Sequence, residues 1–301
     1  MPHTIVMAYR RMRRKRVFRR RSFRPRRSFR RRSPRYRGRR PRVSRARIQQ
    51  VSSRKKFDTQ LGAIGTATPP RNLLLPVGST YVLACPSYLD SERTISDTRY
   101  RRERQEIFFR GVSDRCFLST AVHMTWRRVC FWSYEQFAVG KPKEVVHPST
   151  EDQYNRRNLE PFEPWTGGAQ EGTGDILWQG VVDIDYSEST RPWARLDPHR
   201  VKIVYDKSID VNPNVIRPED STQGKHKTVK RWHPCNRNLT YQQGEYGSNK
   251  IGVDGWVTTQ PESNGNFYIM DIFTTGNAGG EPSIGSAGTF RVDSTVYWHE
   301  R

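Results

Sequence analysis

The first 50 residues carry side chains suited to one kind of chemistry, the binding of phosphate groups. They hold 22 Arg and Lys residues and no Asp or Glu. Arginine presents a planar fork of N–H donors that matches phosphate oxygens, and it stays charged at every relevant pH. Aromatic rings recur among these cations every five to seven residues. In a charged segment such rings have no core to fill, but they can stack on unpaired bases.

We therefore predict that this segment binds a polyanion, with rings that can stack on the unpaired bases of a nucleic acid. Because nothing in it positions side chains against base edges, the binding should be directed at phosphates and depend little on base sequence. The predicted nucleic-acid-binding residues are the cations Arg10, Arg11, Arg13, Arg14, Lys15, Arg16, Arg19, Arg20, Arg21, Arg24, Arg26, Arg27, Arg30, Arg31, Arg32, Arg35, Arg37, Arg39 and Arg40, with the rings Phe18, Phe23, Phe29 and Tyr36.

Two short basic clusters also fit nuclear import signals, which import receptors read. One consists of Arg13, Arg14, Lys15 and Arg16, and the other of Arg54, Lys55 and Lys56. The sequence thus predicts nuclear import receptors as partners and the nucleus as a location.

The charge of the chain divides it into an arm and a body. The whole chain has 53 basic and 30 acidic residues, and 25 of the basic residues precede the first acid, Asp58. The remaining 28 basic and 30 acidic residues give residues 57–301 a net charge of −2. Dense like charge with little apolar surface predicts a disordered arm over residues 1–50. Residues 51–301 are then the folded domain.

The body has the pattern of an all-β fold. Eight segments rich in Val, Ile, Thr and aromatic residues are separated by turn-forming residues, and no long stretch shows a sustained 3.6-residue apolar period. The predicted strands are 80–88, 106–120, 125–137, 174–186, 200–211, 227–241, 266–275 and 288–300, with long loops at 138–173 and 242–265. A ninth candidate, 54–64, is either an extra edge strand or the exit of the arm. We predict an eight-stranded antiparallel jelly roll, with an immunoglobulin-type sandwich as the competitor.

Catalytic and metal-binding patterns in the body are weak. Cys116, His123 and Cys130 are spaced C-x6-H-x6-C, which is one ligand short of a closed structural zinc site. The strand assignment places His233 with Cys235, and Asp183 with Asp185, on shared strand faces, but polar strand faces are common. We expect no metal, no cofactor and no enzymatic activity. No apolar run reaches the roughly 18 residues of a membrane span, so no membrane partner is expected.

Aromatic residues in the body have two expected roles. Trp132, Trp178 and Trp298 are predicted to lie in the core, and Trp165 and Trp193, in loops, to anchor contacts between subunits.

The chain resembles the capsid proteins of genomoviruses, which are circular single-stranded DNA viruses related to geminiviruses. The resemblance is carried by MAYRR (7–11), VSSRKKFDTQL (51–61), WRRVCFW (126–132), VKIVYDKSIDVNP (201–213) and KTVKRW (227–232). Met1–Val6 precede the first motif, which leaves Met1 and Met7 as alternative start sites. The resemblance implies a jelly-roll shell around the genome, assembled in the host nucleus. It also implies other copies of this chain as partners and the virion as a location.

Three classes of function compete. A capsid protein that packages single-stranded DNA accounts for the arm, the β body and the resemblance together. A nuclear shuttle or movement protein would share the arm but need not self-assemble. A host RNA- or chromatin-binding protein with a basic tail leaves the large β body unexplained.

Overall fold

A computed structural model describes most of the body. The described residues are 52–91, 93–162, 177–187, 189–213, 224–241, 244–246, 249–251, 254–260, 263–275 and 287–300. The predicted arm residues between Arg10 and Arg40, and the loop residue Trp165, lie outside these ranges.

The described residues form thirteen strands and three short 3-10 helices. The strands are β1 (Arg54–Ala63), β2 (Leu73–Leu75), β3 (Ser79–Ala84), β4 (Glu106–Thr120), β5 (Met124–Ser133), β6 (Lys143–Val146), β7 (Gln153–Asn158), β8 (Lys202–Val211), β9 (Lys225–Thr240), β10 (Gly244–Tyr246), β11 (Asn249–Ile251), β12 (Asn266–Thr275) and β13 (Gly288–Glu300). The 3-10 helices are Thr98–Tyr100, Ala138–Gly140 and Arg191–Trp193. No helix in the described part of the chain has the length and apolar character that crossing a membrane requires.

Eight of the strands form two facing sheets in jelly-roll order. The larger sheet contains the path β1-β13-β4-β9, and the smaller sheet runs β3-β12-β5-β8. Every neighbouring pair in these two paths is antiparallel. If these eight strands alone are numbered 1 to 8 along the chain, the order is 1-8-3-6 in the larger sheet and 2-7-4-5 in the smaller sheet. A rolled-up pair of Greek keys produces this arrangement. The predicted jelly roll is confirmed, and the immunoglobulin-type alternative is excluded.

Three further strands extend the larger sheet. β7 pairs in parallel with the end of β1, β6 pairs with β7, and β2 pairs with β13. The region 138–173, predicted as a loop, therefore contains β6 and β7. The predicted loop 242–265 contains the hairpin of β10 and β11.

Seven of the eight predicted strands are confirmed, and the prediction for 174–186 is wrong. Its described part forms isolated bridges, Trp178 to Leu196 and Val182 to Tyr186. Asp183 and Asp185 do not share a strand face, since Asp183 has a φ of 65° and the Asp185 carboxylate accepts the Val181 N–H within a turn. The missing eighth strand is the ninth candidate, which forms β1 and pairs with β13.

The segment after residue 177 covers the outer face of the smaller sheet. Leu177, Trp178, Tyr186 and Leu196 pack in one buried cluster with outward-facing side chains of β3, β5 and β12. Arg127 of β5 is held there too, because its Nη1 donates to the carbonyls of Pro192 and Ala194. β12 is accordingly buried at every position but one.

The outer face of the larger sheet carries accessible side chains in the described part of the chain. Its strand β13 alternates buried and accessible residues along its whole length, as a sheet packed on one side only should. In the described part of the chain, the outer face of the smaller sheet is therefore covered, whereas the outer face of the larger sheet carries accessible side chains.

Candidate nucleic-acid interface

The outer face of the larger sheet carries a row of aromatic side chains. We call Trp232 of β9, Tyr297 of β13 and Phe57 of β1 the aromatic row. The ring centroids of Trp232 and Tyr297 are 5.8 Å apart, and those of Tyr297 and Phe57 are 6.4 Å apart. Trp232 and Tyr297 are 46% and 38% exposed. Strand pairing thus gathers rings that are far apart in the sequence into one surface feature.

Gly111 of β4 makes this row possible. It lies in register with Tyr297 on one side and with Pro234 on the other, at a bulge in β4. A Cβ at this position would lie 2.3 Å from the His233 carbonyl oxygen and 3.1 Å from the indole of Trp232. Its φ of +146° also disfavours other residues. Because no side chain stands at this point of β4, the indole can cross the strand toward Tyr297.

Cations surround the aromatic row. The outward-facing charged residues of β1, β4, β9 and β13 comprise five cations and two carboxylates: Lys55, Arg110, Arg115, Lys230 and Arg291, against Glu106 and Asp293. Asp293 is paired with Arg291 at 3.2 Å. The face therefore has a positive balance, whereas residues 57–301 as a whole have a net charge of −2.

The positive field on this face affects a neighbouring histidine. His299 lies beside the ring of Phe108 at a centroid distance of 6.0 Å. Partial burial lowers its pKa, and the charges of Arg110 and Lys55 lower it further. His299 is therefore biased toward its neutral form.

Two of the cations are held over a ring. The guanidinium carbons of Arg115 and Arg291 lie 5.3 and 5.7 Å from the ring centroid of Phe117. Cation–π contact restrains both side chains without using all of their N–H donors. Arg115 and Arg291 can therefore still donate to phosphate oxygens.

Between the two sheets lies a buried layer of charged residues that sequence reasoning missed. We call Asp114, Arg128, Arg157 and Asp271 the ionic layer. Asp114 accepts from Arg128 Nη1 and Arg157 Nη1, both at 2.7 Å, and from Ser294 Oγ at 2.8 Å. Asp271 accepts from Arg128 Nε at 2.7 Å and Arg157 Nη2 at 3.1 Å. Two cations and two carboxylates therefore compensate one another with hydrogen bonds in the core.

The ionic layer stabilises the charged form of its carboxylates. Burial alone would raise the pKa of Asp114, but the charges of Arg157 and Arg128 outweigh it and hold that pKa well below its ordinary value. A charged residue inside an apolar run, such as Asp271 in NFYIMDIFTT, is the signal that could have predicted this layer.

Comparisons with known proteins give only weak likenesses. No protein-family model and no curated protein matches the chain. Among solved structures, the VP1 pentamer of Human Polyomavirus 7 is 10% identical, with a TM-score of 0.18, covering 84% of this chain and 97% of that one. VP1 of Trichodysplasia spinulosa-associated polyomavirus, in complex with sialylated precision glycooligomers, is 11% identical, with a TM-score of 0.10, covering 82% and 78%. Both of these weak likenesses are to polyomavirus VP1 proteins.

The structure does not gather the three weak metal candidates. Cys116 of β4 and Cys130 of β5 belong to different apolar clusters, and His123 lies in the turn between these strands. Across the described ranges, no group of three His, Cys, Asp or Glu side chains could hold a metal ion. Cys130 instead lies near a histidine of the opposite sheet, with its Sγ 3.6 Å from His233 Nδ1.

Three of the four cysteines, Cys85, Cys116 and Cys130, are buried, and Cys235 is half-buried. All four are free, and burial raises the pKa of Cys85, Cys116 and Cys235 to about 12. Burial likewise raises the pKa of Cys130. Protonated thiols are poor nucleophiles and poor metal ligands.

The second predicted import cluster is only partly accessible. Arg54 is exposed and pairs with Glu103 at 3.0 Å, and Lys55 is also exposed. Lys56 is buried, with its Nζ 2.7 Å from Glu103 and 2.9 Å from Glu300. In the folded chain, Arg54 and Lys55 of this cluster are therefore exposed, whereas Lys56 is engaged in buried ion pairs.

Proposed function

We propose that this chain is a viral capsid protein that self-assembles into a small icosahedral shell and packages circular single-stranded DNA through its Arg-rich arm. The observation that carries the proposal is the joining of a jelly-roll body to a segment with 22 basic and no acidic residues. The jelly roll is a fold that viral capsid domains use. The arm supplies sequence-independent binding to a phosphate backbone.

The charge balance supports packaging. The resemblance to genomovirus capsid proteins implies a shell with the smallest icosahedral number of subunits, about 60 copies. Their arms then carry roughly 1,300 cations, enough to neutralise more than half of a genome of about 2,000 nucleotides. The nearly neutral body adds little repulsion between neighbouring subunits.

Exposed apolar side chains support self-assembly. Ile184, at the tip of the turn 181–186, is 81% exposed, and Val181 and Trp193 are each more than half exposed. These residues belong to the segment that covers the smaller sheet, on the side of the molecule away from the aromatic row. Apolar and aromatic side chains that protrude from a folded domain are typical of protein–protein contacts.

In this proposal the arm also directs the protein to the host nucleus, where import receptors bind its basic clusters. The Arg13–Arg16 cluster is the principal import signal, and Arg54 with Lys55 is an accessory one. After assembly, the protein is located in the virion.

Electron microscopy of the purified full chain, with and without circular single-stranded DNA, tests the proposal. We expect closed particles of uniform size whose DNA resists nuclease. A chain that binds DNA but remains monomeric under all conditions would contradict the capsid function and favour the shuttle-type alternative.

A further inference from the structure

We propose that the outer face of the larger sheet is a second binding site for single-stranded DNA, in which Trp232 and Tyr297 stack on bases. This inference rests on the proposed packaging function. It adds a site in the folded body, where strand pairing holds the stacking rings in fixed positions.

The two rings have the accessibility that stacking requires. Trp232 and Tyr297 are 46% and 38% exposed, and they lie next to each other. Two exposed tyrosines elsewhere, in contrast, use their hydroxyls in hydrogen bonds: Tyr134 donates to the Ser263 carbonyl, and Tyr154 donates to Asp152. Stacking of bases on exposed aromatic rings is a general mode of single-strand recognition and tolerates any base.

The charges around the rings match a polyanion. Lys55 and Arg110 lie on one side of the aromatic row, and Arg115, Lys230 and Arg291 on the other. A backbone that crosses the row would therefore meet cations on both sides while its bases face the rings. Only an unpaired strand can present base faces in this way, because a duplex keeps them stacked inside.

The charge also argues against a second copy of the chain as the occupant. If two copies met through this face in a two-fold contact, five cations and two carboxylates of one copy would face the same positively charged set of the other. Like charges that face each other across an interface are unfavourable. The face is more suited to a negatively charged partner.

Chain connectivity favours the same occupant. The arm joins the body through β1, the strand that carries Lys55 and Phe57. DNA held by the arm would therefore be present at high effective concentration near this strand. Individually weak stacking contacts then suffice to hold bases on the face.

The test compares two oligonucleotides of equal length and charge, one of thymidines and one in which the nucleotides lack bases. Their affinities for the full-length chain are measured by fluorescence anisotropy. We expect the wild type to prefer the thymidine strand. Trp232→Ala and Tyr297→Ala should each reduce this preference about five-fold or more, while affinity for the abasic strand stays the same.

Two further variants make the result specific. Trp193→Ala removes another exposed tryptophan, outside the aromatic row, and should leave the preference unchanged. Trp232→Phe keeps a ring and should retain most of the preference. Circular dichroism and thermal unfolding of each variant establish that the body is folded.

The inference is overturned if Trp232→Ala and Tyr297→Ala keep the same preference as Trp193→Ala. It is also overturned if these two variants change particle assembly with the preference unaltered, since the face would then be a subunit contact. Failure of the packaging proposal would be seen differently, as an absence of particles in a wild-type chain whose preference for bases persists.

Discussion

The guanidinium of Arg128 in β5 donates two hydrogen bonds to the carboxylate of Asp271 in β12, from Nε to Oδ1 at 2.7 Å and from Nη2 to Oδ2 at 2.9 Å. The two residues are register partners on neighbouring strands of the smaller sheet, and both are buried. Such bidentate pairs are strong and fix the orientation of both side chains. The pair stands at the centre of the ionic layer.

The ionic layer separates the interior between the sheets into two apolar parts. On β12, Ile269 belongs to one buried cluster and Phe273 to the other, with Asp271 between them. On β13, Ser294 has the same position between Val292 and Val296. A shifted strand would place an apolar residue against these charges, so the layer favours one register.

We predict that Asp271→Ala destabilises the body by about 3–5 kcal/mol, because it leaves two buried guanidinium groups with a single carboxylate, that of Asp114, to compensate them. Urea unfolding followed by tryptophan fluorescence measures the loss. The matched control is Asp293→Ala, which removes a carboxylate from an accessible pair with Arg291 and should cost less than about 1 kcal/mol. Equal losses in the two variants would contradict the structural role of the layer.

Strands can be predicted correctly where the apolar and polar residues of a segment match the burial of its positions in the fold. For 106–120, 266–275 and 288–300, the predicted and observed bounds coincide. β1 was harder to assign because its inward-facing positions are polar. Lys56 is buried against Glu103 and Glu300, and Asp58 against Arg93 at 3.3 Å. These partners are distant in sequence, so no local pattern of RKKFDTQLGA indicates a buried strand.

The segment 174–186 was misassigned for the opposite reason. Its apolar residues alternate as in a strand, but Leu177 and Trp178 are buried against the outer face of a sheet and not within a ladder. Alternation of apolar and polar residues indicates that one side of a segment is buried. It does not indicate which part of the molecule that side packs against. The aromatic row was also beyond prediction, since Trp232 and Tyr297 become neighbours only through strand register and the bulge at Gly111.

We predict that acidification below pH 6.5 destabilises the body, in part through His233. Burial, and then the charges of Arg128 and Arg157 against those of Asp114 and Asp271, bring the pKa of His233 down to about 4. The unfolded chain binds this proton near pH 6.5 and the folded chain only near pH 4, so stability falls as the pH decreases through this window. The loss from this one group is at most about 3 kcal/mol.

Urea unfolding at a series of pH values between 7 and 4 measures this dependence. His233→Gln should have a shallower dependence than the wild type. His226→Gln, which replaces an exposed histidine of the same strand, is the control and should follow the wild type. Below about pH 4, Asp114 adds a further loss: its pKa is depressed in the folded state, so its stabilising charge disappears as it is protonated. A variant at His233 with the full wild-type slope would show that other groups cause the dependence.

We predict that Gly111→Ala costs at least about 2 kcal/mol, because the added Cβ would lie 2.3 Å from the His233 carbonyl and φ is unfavourable for alanine. Gly224→Ala is the control, since its Cβ would meet Thr120 at an ordinary 3.4 Å. Thermal unfolding of both variants measures the difference. A Gly111→Ala chain as stable as Gly224→Ala would mean that β4 bends differently at the bulge.

The arm should give DNA binding a steep dependence on salt. On single strands, the logarithm of affinity falls with the logarithm of salt concentration by about 0.7 per phosphate contact. Replacing Arg30, Arg31 and Arg32 by Ala should therefore reduce the slope by up to about 2. Lys207→Ala, at an exposed position of β8, is the control and should leave the slope unchanged. If the triple variant has the wild-type slope, these arginines do not contact phosphates.

The length of packaged DNA should depend on the charge of the arm. Each copy contributes 22 basic residues from residues 1–50, and the DNA inside a shell must be neutralised largely by these cations. In the proposed shell, the contacts between subunits are made by body residues and not by the arm. Removing part of the basic run should therefore shorten the packaged DNA before it prevents assembly.

Two versions of the shortened arm separate charge from length. In one, residues 10–26 are deleted, and in the other the same residues are replaced by an uncharged Gly/Ser segment of equal length. Both should package DNA shortened to a similar extent, measured on gels after nuclease treatment of particles that electron microscopy shows to be closed. If the uncharged arm packages DNA of full length, charge neutralisation does not limit packaging. If either version forms no particles at all while the body remains folded, the arm takes part in building the shell itself, and its role is not confined to holding the genome.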